Sequence, residues 1–302
     1  MIKKVILSTC LGLSSLVFAK DIALSFDDGL NPESNLDALQ INNDILKTLK
    51  ANNVSAIVYP SISKIGGKQG LDIISEWGKQ GHRIGNHGNL HLNLNKGDVT
   101  LTDYLVDMEQ GHQAFSSLQG FVLRYRFPFL KEGNTVEKRD GVREWLSTHK
   151  YQSGAVSIDA SDWYYNQLFL KYKKKNDQES LDKLKQAYIF HLLDRAKYYD
   201  GLAVNTLGCS PKHVLLLHVR AINAAWLGDI INSFNQHGWR FIDSDTAYQD
   251  SIYKIQPKTL PAGESILWNI AQIYGVEKLR YPAEDAPYEY PKLNKFSLDI
   301  EP

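Results

Sequence analysis

The sequence predicts an α/β fold in which short parallel strands alternate with helices. Brief apolar runs alternate along the chain with longer segments whose apolar residues recur at helical spacing. Parallel strands need connections long enough to hold a helix, so this alternation favours one parallel sheet or barrel. Several of the apolar runs end on Asp, His or Arg. Since the carboxyl ends of parallel strands gather the ligand-binding loops, the same pattern predicts a functional site at that end.

The first strand is predicted within residues 21–29, where apolar residues alternate at Ile22, Leu24 and Phe26. A segment with helical spacing follows, and Asn35 could cap its start. The alternation then continues as far as residue 158. Further strands are predicted at 55–59, 83–85, 121–124 and 152–158, and helices at 36–51, 71–80, 103–118 and 136–149.

After residue 158 a long polar segment interrupts the alternation. Residues 164–199 have a helical pattern, and the lysines at 171 and 173–175 indicate a solvated face. The remaining predicted elements are strands at 213–218 and 240–242 and helices at 221–237 and 265–273. We expect residues 20–250 to form one barrel. Residues 251–302, with one short helix, are expected to be an extension packed on that barrel.

Length and composition are those of a folded protein with a large core. The chain has 302 residues, of which 43% are hydrophobic and 11% aromatic. Its 34 Lys and Arg residues balance 34 Asp and Glu residues, so composition does not indicate the basic face typical of nucleic-acid-binding proteins. We therefore expect no nucleic-acid partner, and nothing in the sequence indicates the oligomeric state.

Residues 1–19 have the pattern of a secretory signal peptide. Lys3 and Lys4 precede an apolar stretch, and Val17 and Ala19 suit cleavage after residue 19. The apolar stretch is short for a bilayer span and is interrupted by hydroxyl residues. We therefore expect a secreted or periplasmic protein with no stable membrane insertion after cleavage.

Asp27 and Asp28 end the first predicted strand and are followed by Gly29. Adjacent side chains on an extended chain point to opposite sides, so one carboxylate could hold a metal ion while the other accepts a proton. An Asp-Gly pair after a strand is also an ordinary turn signal. This stretch alone leaves both interpretations open.

His87 and His91 stand four residues apart, which on one helical turn would place both imidazoles on one face. Together with Asp28 they would form a site of two histidines and one carboxylate that leaves positions open for water. Such a site is expected of a catalytic metal rather than a structural one. A surface pair of histidines is the alternative that the spacing alone leaves open.

Three later strand ends carry polar groups as well. Arg126 begins a stretch that ends on Phe129, residues 159–163 follow the next predicted strand, and His218 ends the apolar run 214–217. Taken singly, each could be a turn, a helix cap or a buried histidine. Because successive strand ends open at one mouth of an α/β fold, their repetition indicates a common site.

On these residues the chain resembles the polysaccharide deacetylase family, carbohydrate esterase family 4, with its NodB-homology domain. The five motifs of that family occur in order between Ser25 and His218. The resemblance implies a distorted (β/α) barrel with about seven parallel strands, fewer than the eight of a regular barrel. In that fold the helical insertion after Trp163 is expected to be a decoration.

The resemblance also implies roles for the residues of the first motifs. Asp27 corresponds to the catalytic base, and Arg126 corresponds to the residue that orients it. The metal triad, usually occupied by zinc in the family, corresponds to Asp28, His87 and His91.

The later motifs correspond to the acid side of the reaction. His218 corresponds to the general acid, and either Asp159 or Asp162 corresponds to the carboxylate that supports it. The residues expected to contact substrate are Leu216, as the wall of the acetyl pocket, Trp163 and Phe129.

Two positions depart from the family pattern. Gly88 stands where the family usually has Ser or Thr, and Leu92 stands where Pro often follows the second histidine. Neither change removes a metal ligand. Gly88 does leave the ligand loop without the usual hydroxyl partner for its backbone groups.

These residues predict metal-dependent hydrolysis of N-acetyl groups on an exported, N-acetylated glycan. An amine leaves poorly unless it is protonated, so the reaction needs an acid as well as a base, and a histidine suits the acid. The same site could serve an O-deacetylase or a small amide hydrolase. A non-catalytic carbohydrate-binding protein on the same fold is the third alternative.

Overall fold

The computed structural model of the protein describes residues 19–280, 282 and 286–298, and a curled parallel sheet forms its centre. The strands are β1 Lys20–Asp28, β2 Ala56–Pro60, β3 Arg83–Asn86, β4 Phe121–Tyr125, β5 Lys131–Gly133, β6 Gln152–Ser153, β7 His213–His218, β8 Trp239–Phe241 and β9 Ala262–Gly263. The sheet has the order β6-β4-β3-β2-β1-β7, β8 pairs with the start of β1, and all these pairs are parallel. Strands β5 and β9 form a separate antiparallel pair.

Helices surround the sheet. They are α1 Ala38–Ala51, α2 Ile62–Ile65, α3 Lys68–Lys79, α4 Leu101–Phe115, α5 Val136–Thr148, α6 Asp162–Lys174, α7 Gln178–Leu207, α8 Ala221–Gln236, α9 Ser244–Tyr248, α10 Ile266–Ile273 and α11 Ala286–Leu293. Short 3₁₀ turns lie at Pro128–Leu130, Ser251–Lys254 and Asn294–Phe296. The predicted parallel α/β fold, a distorted (β/α) barrel, is thus confirmed.

Strand β1 is the central strand of the barrel. Residues 22–28 are buried, because helices cover one face of the sheet and the barrel interior the other. A parallel strand buried on both faces is accordingly rich in apolar residues. In its register with β7, Asp27 pairs with His218, so both of these predicted site residues lie at the same end of the barrel.

The segment predicted as one strand at 152–158 instead spans the gap between the two edges of the sheet. Gln152 and Ser153 pair with β4, whereas Ile158 bridges Leu215 of β7. Gly154 allows this departure, because a Cβ at that position would lie 2.9 Å from the Tyr59 hydroxyl. The segment therefore connects opposite edges of the sheet rather than forming one long strand.

Helix α1 begins later than predicted. The side chain of Asn35 accepts the backbone N–H of Asp37 in a turn, and Leu36 is 93% exposed. The helix starts only at Ala38, so Asn35 is not its cap.

The helical insertion is not a decoration. It forms α6 and α7, and their buried faces join the main core through residues such as Tyr165, Tyr188 and Leu192. The lysines at 171 and 173–175 are exposed, as predicted. The insertion is therefore amphipathic, and its apolar face closes the core beside β7.

The extension after residue 250 contacts the barrel at several points. Strand β9 pairs with β5, the backbone N–H of Ile266 donates to the Val156 carbonyl, and Glu289 is fully buried. The division of the chain at residues 19 and 250 stays a prediction. Residues 1–18 lie outside the described part of the chain, and no helix within the described part is long and apolar enough to span a bilayer.

Limited proteolysis should nick the chain near residues 254–261 without releasing the extension. Ile266, Leu267 and Ile270 are buried, so residues beyond the nick should co-elute with the barrel and melt with it in one transition. Size-exclusion chromatography and calorimetry of the nicked protein test this. A released fragment with its own melting transition would show that the extension is a separate domain.

Candidate active site

The predicted site residues meet at the carboxyl ends of the strands, around an open cavity of about 420 Å³. The cavity is lined by Asp27, Asp28, Lys64, His87, His91, Phe129, Leu130, Lys131, Asp159, Ala160, Trp163, Leu216, His218, Arg220 and Glu264. Arg126 and Asp162 are buried behind this lining. The structure therefore brings all the predicted residues to one end of the barrel.

Asp28, His87 and His91 form a compact set of possible metal donors. One ligand atom from each lies within 4.8 Å of the other two. His91 Nε2 lies 3.2 Å from Asp28 Oδ1, and His87 Nε2 lies 3.9 Å from the same oxygen. The predicted helical turn at His87 and His91 is wrong, since residues 87–92 form a loop. His91 instead reaches the site from a left-handed backbone conformation, at φ +56°.

The donor set fits a divalent metal ion. Asp28 Oδ1 is buried and has no hydrogen-bond partner among the described residues, which is costly unless a cation occupies the space it faces. Two imidazoles and one carboxylate beside an open cavity match a catalytic site with room for water.

Two features of His87 suit it to metal binding. Its Nδ1 lies 2.7 Å from the Arg126 carbonyl oxygen, which leaves Nε2 facing both carboxylates, 3.9 Å from Asp28 Oδ1 and 3.7 Å from Asp27 Oδ2. Burial holds the pKa of His87 well below its usual range, so the ring is neutral. A second contact of this kind fixes the tautomer of a histidine ligand.

Asp107 and Asn86 hold the histidine loop, and sequence reasoning missed both. The Asp107 carboxylate accepts the backbone N–H groups of Asn89 and Leu90, at 3.1 and 2.6 Å. The Asn86 side chain accepts the N–H of Gly88 and donates to a carbonyl of α4. The loop thus has other polar partners in place of the hydroxyl that Gly88 lacks. A carboxylate on a helix facing the loop has no sequence signal of its own.

Asp27 forms a buried ion pair with Arg126. The Arg126 Nη1 lies 2.8 and 3.1 Å from the two carboxylate oxygens, and both side chains are almost fully buried. Burial raises the pKa of Asp27 to about 6, although the Arg126 charge opposes the shift. An Asp with such a pKa can both accept and release a proton near neutral pH.

His218 is paired with Asp162 and not with Asp159. Its Nδ1 lies 2.7 Å from Asp162 Oδ1, and its backbone N–H donates to Asp162 Oδ2 at 2.7 Å. Burial alone would lower the pKa of His218, but the Asp162 charge and hydrogen bond outweigh it and raise that pKa to about 9. Asp159 lines the cavity instead.

The three residues expected to contact substrate all line the cavity. Leu216 is 5% exposed and forms part of its apolar wall, together with Trp163. Phe129 is 55% exposed and packs edge-on against His91, with ring centroids 4.6 Å apart. Phe129 also has a left-handed backbone, at φ +56°. Such strain in a non-glycine residue is typical of functional sites.

Arg220 is a further residue that the sequence did not indicate. Its Nη2 donates to Asp28 Oδ2 at 2.8 Å, so Asp28 keeps Oδ1 for a cation while Oδ2 is neutralised by the arginine. Burial would raise the pKa of Asp28, but the contact with His91 and the charge of His218 hold it well below its usual range. Asp28 is therefore a carboxylate at any physiological pH. At the cavity rim, Lys131 is paired with Glu264.

Comparison with known proteins confirms the resemblance to the polysaccharide deacetylase family. The family's sequence profile, described as polysaccharide deacetylase, matches residues 17–144. That range contains the metal donors, Asp27 and Arg126, and it ends before Asp162 and His218. A search of curated proteins gave no match.

Solved structures share the fold. A peptidoglycan N-acetylglucosamine deacetylase is 21% identical with a TM-score of 0.51, covering 78% of this chain and 92% of that one. PdaA of Bacillus subtilis, a family 4 carbohydrate esterase, is 19% identical with a TM-score of 0.50, covering 76% and 81%. A Bacillus anthracis protein described as a family 4 pseudoenzyme is 12% identical with a TM-score of 0.51, covering 76% and 65%. At these identities the likeness concerns the fold alone.

Replacing Gly88 by Ala should weaken the metal site. Gly88 has φ +77°, and a Cβ there would lie 2.2 Å from Asp107 Oδ2, the oxygen that accepts the Asn89 N–H. We expect Gly88→Ala to lower the free energy of unfolding by about 1–3 kcal/mol. The affinity for a divalent metal ion should fall by about tenfold or more. Urea denaturation and zinc titration measure the two effects.

Gly97→Ala is the matched control. A Cβ at Gly97 would meet no atom within 4 Å, and Gly97 is exposed in the connection between His91 and α4. Gly97→Ala should change neither the free energy of unfolding nor the metal affinity. Equal effects of the two substitutions would show that the fit of Gly88 against Asp107 does not hold the loop.

Proposed function

We propose that the chain is an exported, metal-dependent deacetylase that hydrolyses N-acetyl groups of an acetylated polysaccharide or oligosaccharide. The observation that carries this proposal is the pairing of a base with an acid beside a metal donor set. Asp27 and His218 are register partners on adjacent strands, and both line the cavity next to Asp28.

The metal would be held by Asp28, His87 and His91, and zinc is the ion proposed. When bound, such an ion polarises the acetyl carbonyl and lowers the pKa of water. Arg220 and the His87 contact to the Arg126 carbonyl keep two of the donors oriented. Asp27 is not needed as a ligand, because Arg126 already engages both of its oxygens.

Asp27 would act as the base. Its pKa of about 6 leaves it ionised above that pH, so it can accept a proton from the attacking water. Arg126 prevents the carboxylate from turning away, since it donates to Asp27 and is itself held by Ser25 and the Gly154 carbonyl.

His218 would protonate the departing amine. Its pKa of about 9 keeps it protonated at neutral pH, and Asp162 fixes Nδ1 so that Nε2 is the atom available to donate. An acetamide requires this step, because an unprotonated amine is a poor leaving group. The acetyl methyl group would face Leu216, and Trp163 and Phe129 would contact the sugar.

The leader pattern of residues 1–19 supports a secreted or periplasmic location, where a cell-wall or other acetylated glycan is the partner proposed. An O-deacetylase remains the second candidate, since the metal donors and Asp27 would serve an ester equally well. A non-catalytic protein is disfavoured because Asp27 and His218 are both present and both lie at the cavity.

Two substitutions should affect activity and metal content differently. Asp27→Asn keeps the size of the base and removes its basicity, so acetate release should fall by about two orders of magnitude or more while bound zinc is retained. His91→Ala removes a donor and should lose both. Acetate release from N-acetylated oligosaccharides and metal analysis of the purified protein test this. If wild-type protein binds no stoichiometric divalent metal, or Asp27→Asn remains active, the assignment is wrong.

The pH dependence of kcat should show whether Asp162 or Asp159 supports His218. The acid must be protonated, so activity is lost as pH rises through the pKa of His218. Asp162→Asn removes the charge that raises this pKa, and the alkaline limb of kcat should move to lower pH by about one unit or more. Asp159→Asn should leave that limb in place, because Asp162 already engages both Nδ1 and the backbone N–H of His218. An equal shift in both variants, or none in Asp162→Asn, would contradict the pairing.

A further inference from the structure

A buried polar cluster lies behind the cavity, where the C-terminal extension meets the helical insertion. Glu289 of α11 and His191 of α7 are both fully buried, and neither lines the cavity. The proposed reaction does not use either of them. Burying a carboxylate and an imidazole is costly unless each satisfies a particular partner, so the cluster requires a structural or functional reason.

Both side chains form hydrogen bonds with residues at the start of α6. Glu289 Oε2 accepts the Tyr165 hydroxyl at 3.1 Å, and Glu289 Oε1 accepts the Ser161 hydroxyl at 3.4 Å. His191 Nε2 accepts the backbone N–H of Ser161 at 3.0 Å. Ser161 occupies the N-cap position of α6 without a capping hydrogen bond from its side chain. The start of this helix is therefore held by three hydrogen bonds from α7 and α11.

The charges of the cluster suit these contacts. Burial lowers the pKa of His191, so its ring is neutral and Nε2 is free to accept the Ser161 N–H. Its Nδ1 lies 3.1 Å from Glu289 Oε2, an electrostatic contact that lacks hydrogen-bond geometry. Burial would raise the pKa of Glu289, but the contact with His191 and the charges of Lys292 and Arg195 outweigh it and hold that pKa at about 2. Glu289 is therefore a carboxylate at neutral pH.

The turn held in this way carries Asp162. This residue follows Ser161 directly, begins α6, and contacts His218 through both carboxylate oxygens. Asp162 Oδ2 also accepts the side chain of Asn223, whose own oxygen accepts the Tyr188 hydroxyl of α7. The position of Asp162 thus depends on α7 and α11, which flank the turn, and not on the barrel strands alone.

We propose that Glu289 of the C-terminal extension is a positioning residue for the acid of the reaction: by holding Ser161 and Tyr165, together with His191, it keeps Asp162 in contact with His218. The proposal rests on the proposed function, and it gives the extension a role in that function. Glu289 itself does not line the cavity, whereas Glu264 of the same extension does.

The test compares zinc-loaded full-length wild type with Glu289→Gln, which keeps the size of the side chain and removes its charge. Histidine side-chain NMR follows the His218 Nδ1–H signal and its titration, with His218→Gln used for assignment. We expect His218 in Glu289→Gln to titrate at a pH lower by about one unit and its Nδ1–H to exchange faster. Bound zinc should be unchanged.

Turnover should be affected in a way that a general loss of stability would not produce. On an N-acetylated oligosaccharide, kcat should fall about tenfold with KM unchanged. On an activated aryl acetate, whose leaving group needs no proton, the loss should be much smaller. Equal losses on both substrates would overturn the proposal.

Asp194→Asn is the matched control. Asp194 pairs with Arg280 at 2.7 Å and lies 3.7 Å from Lys292, so it contacts the same extension without contacting Ser161 or Tyr165. It should leave the His218 titration in place. The proposal is overturned if both variants shift His218 equally or if Glu289→Gln shifts nothing. If Glu289→Gln does not fold, Tyr165→Phe removes a single contact to Glu289 and should shift His218 in the same direction, and no shift there overturns the proposal.

The NMR measurement requires no turnover. A wild-type protein that releases no acetate while Glu289→Gln still shifts His218 would reject the deacetylase and retain the link from Glu289 to His218. Acetate release by the wild type, together with an unchanged His218 titration in Glu289→Gln, would retain the deacetylase and reject the link from Glu289 to His218.

Discussion

The buried ion pair between Arg126 and Asp27 is the interaction on which the rest of the site depends. The Arg126 guanidinium holds the carboxylate of β1, stacks over the Tyr59 ring at 4.5 Å and donates to the Gly154 carbonyl. The backbone N–H of the same residue donates to the Asn86 carbonyl, which continues the pairing of β4 with β3, and its own carbonyl oxygen faces His87 Nδ1. One arginine therefore contacts both the proposed base and a histidine of the proposed metal site. Removing it would leave a buried carboxylate unpaired, at a cost of about 3–5 kcal/mol.

The raised pKa of Asp27 makes the fold less stable at neutral pH, and it also suits this carboxylate to proton transfer. A carboxyl group whose pKa is raised by the fold binds its proton more tightly in the native state than in the unfolded state. Asp27, with a pKa of about 6 against an ordinary 3.8, therefore makes the fold less stable as pH rises from about 4 to about 6. Asp28 has the opposite shift one residue later, and its contribution to stability is present at neutral pH and lost in acid. Two adjacent carboxylates thus have different proton affinities, because burial outweighs the charges of Arg126 and His218 at Asp27, whereas the histidines outweigh burial at Asp28.

The sequence predicted the parts of the molecule that depend on local pattern. The alternation of elements, the ends of β7 and the residues at the strand ends all follow from periodicity and from where parallel strands open. The helical explanation for His87 and His91 failed because a loop held by Asp107 can bring two imidazoles together without helical spacing. The choice between Asp159 and Asp162 stayed open for a similar reason. The two residues lie three positions apart, and only the start of α6 determines which one turns toward His218.

The two sides of the proposed reaction therefore differ in how their geometry is encoded. The proposed metal donors lie within residues 17–144, which match the family profile, and so do Asp27 and Arg126. Their contacts are made by neighbouring strand ends and the loops between them. The acid side lies beyond that match. His218 comes from β7, Asp162 from the insertion, and the support beneath Asp162 from α7 and α11. A position assembled from four distant segments has no local signature, because each contact depends on how helices pack rather than on spacing along the chain. The insertion and the extension, which pattern alone presents as additions to a barrel, are then the segments that we propose orient its acid.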